Sequence, residues 1–192
     1  MRPIARDSAS QKRRAHALFY DDTAENVKGA NPRGRHPAVH TMLLTASLTI
    51  QQLQTALDFF RQRSAVAAED PAAAVPFFFF DFDGTLSVGD GLLNLGHNNM
   101  ETLFGGVERR RILRATLGTM VMANQCYVLT ANMAYQKVSE VLNELLAAGG
   151  AGKGFDDARF AADDTVRFVP AGGKLRALEE IIAARNFVLV RQ

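Results

Sequence analysis

The chain has 192 residues, 47% hydrophobic and 22% charged, which is enough apolar material for a packed core and favours one domain with an appendage over two full domains. A single cysteine excludes a disulfide framework and argues against a thiolate metal site. No apolar run reaches the roughly 18–20 residues that span a bilayer, and a net charge of +2 is too small by itself to indicate a nucleic-acid binder.

Residues 1–40 carry eight Lys or Arg against four acids, so the basic excess of the whole chain sits there. Their Pro, Gly and Asn content (KGANPRGRHP) and weak periodicity predict a basic arm, extended or disordered. Such an arm is either solvated or placed to touch a protein or nucleic-acid partner. His16, His36 and His40 lie in it without a metal-ligand pattern. MRPIARDSASQKRRAHALFYDD contains no h-region, which argues against a secretory signal. Its arginines and two serines leave organellar targeting open, while Asp7 and DDTAE count against it, so the expected location is intracellular, the cytoplasm first.

Residues 41–75 read as an amphipathic helix and a linker. Ile50, Leu53, Leu57 and Phe60 recur at helical spacing and Thr49 is placed to cap them, which predicts a helix over 49–63. AVAAEDPAAAVP follows as a linker broken by Pro71 and Pro76. The core domain is expected over 76–192. It opens with four phenylalanines at 77–80, a continuous apolar run of the kind buried on both faces of a parallel sheet. Helical patterns at 107–123, 134–148 (closed by Gly149 and Gly150) and 174–185 alternate with strand patterns at 127–129, 166–169 and 187–190. That alternation predicts an α/β fold, a doubly wound parallel sheet. Cys126 reads as a small buried hydrophobe.

The chemistry concentrates in FFFFDFDGTLS. A parallel strand that ends in Asp81 and Asp83 presents two carboxylates where ligands bind in open α/β sheets. Gly84 lets the backbone turn sharply beside them. Two such acids need a counter-charge, and an oxygen-liganded Mg²⁺ held by Asp81 and Asp83 would supply it.

The hexapeptide DFDGTL resembles the first motif of the haloacid-dehalogenase (HAD) superfamily. The resemblance covers residues 76–192 and implies a Rossmannoid core with a minimal cap, since the 46 residues between Asp83 and Thr130 hold only a loop and one helix. It also implies a Mg²⁺-dependent phosphatase acting through an aspartyl-phosphate, with Asp81 as nucleophile and Asp83 as general acid and base. Thr130 in CYVLTAN, with the adjacent Ala131, would bind phosphoryl oxygens, and Lys174 in AGGKLRALEE would neutralise them. Gly84 would border the same substrate. The substrate class is open: phosphorylated proteins, nucleic-acid ends and small molecules all suit a minimal cap.

The family's fourth motif, an acid pair following the next strand, is missing where it is expected, because the strand at 187–190 is followed by Arg191 and Gln192. Asp156, Asp157, Asp163 and Asp164 precede the lysine and read as loop acids, and Asp90 reads as part of its turn; His97, in the loop LGHNNM, reads as a solvent-exposed histidine, or else as a lid residue that touches substrate. Without that motif the rival expectation is a weak or inactive HAD-fold subunit with a structural or binding role in a larger assembly.

Overall fold

The computed structural model describes residues 12–31, 37–89, 100–148, 158–170 and 172–189. His36, Asp90, His97, the Gly149–Gly150 closure, Asp156, Asp157, Arg191 and Gln192 lie outside these residues.

Six strands form one sheet, parallel at every pairing. They are β1 (Arg13–Asp21), β2 (Val39–Leu43), β3 (Val75–Phe80), β4 (Cys126–Thr130), β5 (Val166–Phe168) and β6 (Phe187–Leu189). The order is β2-β1-β3-β4-β5, with β6 also paired to β1. Every residue of β3 is buried, and side chains alternate across a strand. Phe78 and Phe80 therefore enter the core on one face, and Phe77 and Phe79 enter the core on the other. The run of phenylalanines is continuous because both faces of its strand are covered.

The first face is covered by α2 (Ile50–Glu69), α4 (Val107–Met122) and α5 (Tyr135–Ala147), through residues such as Leu53, Leu113 and Leu142. On the second lie α1 (Ala24–Ala30) and α6 (Lys174–Ala184), contributing Ala30, Leu178 and Ile181. A short α3 (Met100–Leu103) precedes α4. The expected α/β parallel sheet with helices on both faces is thus present. Thr49 caps α2 in a reciprocal capping box with Gln52. The helix runs on to Glu69, beyond the expected 63, because SAVAAE offers nothing to break it before Asp70 and Pro71.

The expected arm is the largest correction. Residues 13–21 form β1, which lies between β2 and β3 and pairs with both, and residues 24–30 form α1. The physical reason is the alternation Ala15, Ala17, Phe19, all fully buried, which the neighbouring charges obscure in composition. No boundary at residue 76 separates an appendage from the core, since β1 and β3 register from Ala15–Val75 to Tyr20–Phe80.

Arg109, in the first turn of α4, is 7% exposed and pairs with no carboxylate among the described residues. It donates instead to four backbone carbonyls: Nε to Leu48 (2.7 Å), Nη1 to Leu86 (2.9 Å) and Phe104 (2.8 Å), and Nη2 to Thr85 (3.2 Å). Burial pushes its pKa down to about 10. The guanidinium ties the entry of α2, the end of α3 and the turn Phe82–Leu86 after β3 into one unit. Arg109→Met, which keeps the stem and removes every donor, is expected to cost on the order of 3 kcal/mol in urea denaturation. A loss below about 1 kcal/mol would show that those carbonyls are satisfied without it.

Candidate functional site

β1 and β3 leave the sheet toward opposite faces: the chain after β1 enters α1, and the chain after β3 leads to α4. This divergence is a topological switch point, where open α/β sheets form their ligand crevice. Tyr20 registers with Phe80, and the Asp81 N–H donates to the Tyr20 carbonyl at 2.9 Å. Asp21 consequently emerges level with Asp81 on the adjacent strand. One ligand oxygen each from Asp21, Asp22 and Asp81 lie within 4.8 Å of one another.

Lys174 opens α6 and is completely buried. Its Nζ lies 3.0 Å from Asp81 Oδ1 and 3.9 Å from Asp21 Oδ2, and it also donates to the Leu129 carbonyl. Phe80 registers with Val128, so Thr130 ends β4 level with Phe82. Thr130 is buried, and its Oγ1 accepts from the Asn132 N–H at 3.0 Å. Asn132 Nδ2 donates in turn to Asp83 Oδ2 at 3.1 Å. The four residues expected to carry chemistry, Asp81, Asp83, Thr130 and Lys174, thus stand at one end of the sheet, and Ala131 follows there as an exposed residue.

Gly84 has φ +67°, and a Cβ there would lie 2.1 Å from Asp22 Oδ2. The glycine is required by its backbone conformation and by the approach of the β1 acids, so it joins the two halves of the site.

Sequence reasoning missed three residues. Asp21 and Asp22 were assigned to the arm, yet ALFYDD carries the same signal as FFFFDFD, an apolar run ending in acid. Asn132 had no signal of its own, since its role depends on where Asp83 lies. The expected position of the family's acid pair, after the strand at 187–190, lies outside the described residues. β6 pairs with the opposite end of β1, Leu189 registering with Ala15. Six residues, roughly 20 Å of strand, separate that level from Asp21.

Among the described residues, these acids meet little positive charge and few donors. Asp21 Oδ1 accepts from the Thr23 N–H (2.8 Å) and Asn26 Nδ2 (3.3 Å), whereas Asp21 Oδ2, also buried, has no hydrogen-bond donor. Asp83 Oδ1 is likewise buried without a donor. Burial raises the Asp21 pKa, opposed by the Thr23 N–H and Lys174. Asp81 is raised to about 7, first by burial and then by the charges of Asp21 and Asp83, with Lys174 opposing. An orphaned buried carboxylate oxygen beside two other carboxylates fits a hard divalent cation with oxygen ligands.

A raised carboxyl pKa favours the neutral group in the fold. Its stabilising contribution is complete below the ordinary value of about 4 and is lost as pH rises through about 7. The protein in EDTA should therefore melt at progressively lower temperature over that window, and Asp81→Asn should flatten the fall. A divalent cation should raise the melting temperature more at about pH 8 than at about pH 5, because it binds the ionised acids. Equal shifts at both pH values would argue against binding at these carboxylates.

No protein-family model, no curated protein and no solved structure matches the chain. The functional reading rests on the residues of the site.

Proposed function

We propose that this protein is a phosphohydrolase that works through an aspartyl-phosphate, with a HAD-like site assembled from motifs in permuted chain order. The carrying observation is that Asp21 and Asp22 stand beside Asp81, while Lys174 reaches the same carboxylate. Phe19, Tyr20, Asp21 and Asp22 have the hydrophobic-hydrophobic-Asp-Asp pattern of the fourth motif, and they precede the first motif in the chain instead of following the third. A parallel sheet permits this, since the site depends on which strands are neighbours.

In this reading an Asp81 carboxylate oxygen forms a bond to phosphorus as the bond to the ester oxygen breaks. Asp83 donates its proton to the departing oxygen. It then takes a proton from water, whose oxygen attacks phosphorus and releases inorganic phosphate, restoring Asp81. Asn132 holds one oxygen of Asp83, fixing the carboxyl for both transfers. Lys174 and the Thr130 region supply positive charge and donors for the phosphoryl oxygens. Asp21, Asp22 and Asp81 would hold Mg²⁺, which supplies charge neutralisation for the phosphoryl group when bound.

The rival scaffold role follows from the missing acid pair, and a partner-touching arm and a helix outside the core would suit it. The acid pair has a counterpart in β1, residues 13–21 of the arm are a core strand, and α2 buries Leu53, Leu57 and Phe60 in the main core. Each ground for the scaffold reading is thereby weakened.

Mg²⁺-dependent hydrolysis of a small aryl phosphate is the direct test. Asp81→Asn is expected to abolish turnover with the fold intact, and Asp83→Asn to slow it about 100- to 10,000-fold. Turnover retained by Asp81→Asn would sink the nucleophile assignment. Absence of hydrolysis in the unmodified protein across varied phosphate esters would favour the scaffold role.

A further inference from the structure

A cleft of about 320 Å³ lies at the opposite pole of the sheet, between the first residues of β1 and the carboxyl-terminal half of α2. It takes no part in the chemistry above, because it sits near the level of Ala15, roughly 20 Å along β1 from Asp21. Arg14 and His16 line it from β1, and Phe59, Arg63 and Val66 from α2.

Its lining is net basic, two arginines against the acid Asp70. Neither Arg14 nor Arg63 pairs with an acid among the described residues. Arg63 lies with its guanidinium carbon 5.4 Å from the centre of the Phe59 ring, which orients its planar fork. His16 stacks on His40 of β2 with ring centres 5.8 Å apart and planes 9° apart. The acid in the lining, Asp70, turns one carboxylate oxygen to the Ala72 N–H at 2.8 Å. Burial lowers the His16 pKa, and His40, Arg63 and Arg14 lower it further, so both arginine charges are felt at the imidazole. The wall beside them is apolar: Phe59 is half-buried and Val66 is 45% exposed.

We propose that this cleft is a second binding site, for a small organic phosphate whose dianionic head lies between Arg14 and Arg63 and whose apolar body lies against Phe59 and Val66. Two forked guanidiniums can each take phosphate oxygens in bidentate geometry, and a dianion is drawn to the net basic lining more strongly than a carboxylate or sulfonate monoanion. The imidazole stack supplies further donors once an anion lowers the cost of protonating it. The site stands independently of the catalytic reading, since it shares no residue with it.

The test uses the full chain in EDTA, so that no divalent cation supports hydrolysis, with phenyl phosphate as probe and the His16 and His40 imidazole signals followed by NMR. The expected result is a saturable shift of both signals and a rise in the His16 pKa, with benzenesulfonate binding more weakly. Arg14→Ala combined with Arg63→Ala should weaken binding at least about tenfold; both side chains are exposed, so the fold should survive. Asp70→Asn, which keeps the acceptor for Ala72 and removes the opposing charge, should tighten it. A shift that never saturates, or affinity unchanged in the double variant, would overturn the proposal. Loss of probe binding in Asp81→Asn with the His16 shift abolished would also overturn it, by assigning the effect to the other site.

Discussion

A fully buried ammonium is the constraint on which the site end of the molecule turns. Lys174 has no exposed surface, and an ammonium removed from water must meet negative charge or carbonyl oxygen. It meets Asp81 at 3.0 Å, Asp21 at 3.9 Å and the Leu129 carbonyl, which brings the start of α6 against the ends of β3, β1 and β4 together. The carboxylates need the lysine for the same reason. Among the described residues, Lys174 is the one cation paired with Asp21 and Asp81, so the acids Asp21, Asp22, Asp81 and Asp83 gather at that end of the sheet around one ammonium, an arrangement that could hold a metal ion.

Arg109 is the complementary device, a buried cation whose partners among the described residues are peptide carbonyls. Two of its four acceptors, Thr85 and Leu86, belong to the turn that carries Asp83 and Gly84. The acidic turn is therefore held from behind by one charge and approached from in front by another. Gly84 connects the two, because the same absent side chain permits its positive φ and admits Asp22.

Much of this was legible in the sequence where a local signal matched a local cause. Four phenylalanines ending in DFDGTL announced a two-faced central strand and its acids, and Thr49 with Gln52 announced the start of α2. The first segment misleads because its net charge masks the alternation that decides the outcome. Arg13, Arg14 and the basic residues around them made the first segment look solvated, yet Ala15, Ala17 and Phe19 are completely buried. Small alanines give a weak hydrophobic signal, and they suffice here because β1 lies between aromatic-rich β3 and the alanines and valines of its neighbours. Asn132 was unreadable for another reason. Its contact to Asp83 spans 49 residues and exists only once β3 and β4 are side by side.

The position of β1 also bears on how the chain reaches this arrangement. Its partners are β2, formed from residues close in sequence, β3, about sixty residues on, and β6, which begins at Phe187. Among the described strands, β1 comes first in chain order, and β6, which completes its pairing, comes last. Loop closure over such separations is slow compared with local pairing. Until β3 arrives, β1 presents an unpaired edge with Phe19 and Tyr20 on it, the kind of surface that chaperones shield. Carrying the acid pair on β1 therefore makes the site depend on pairings between strands far apart in sequence, which form more slowly than local ones.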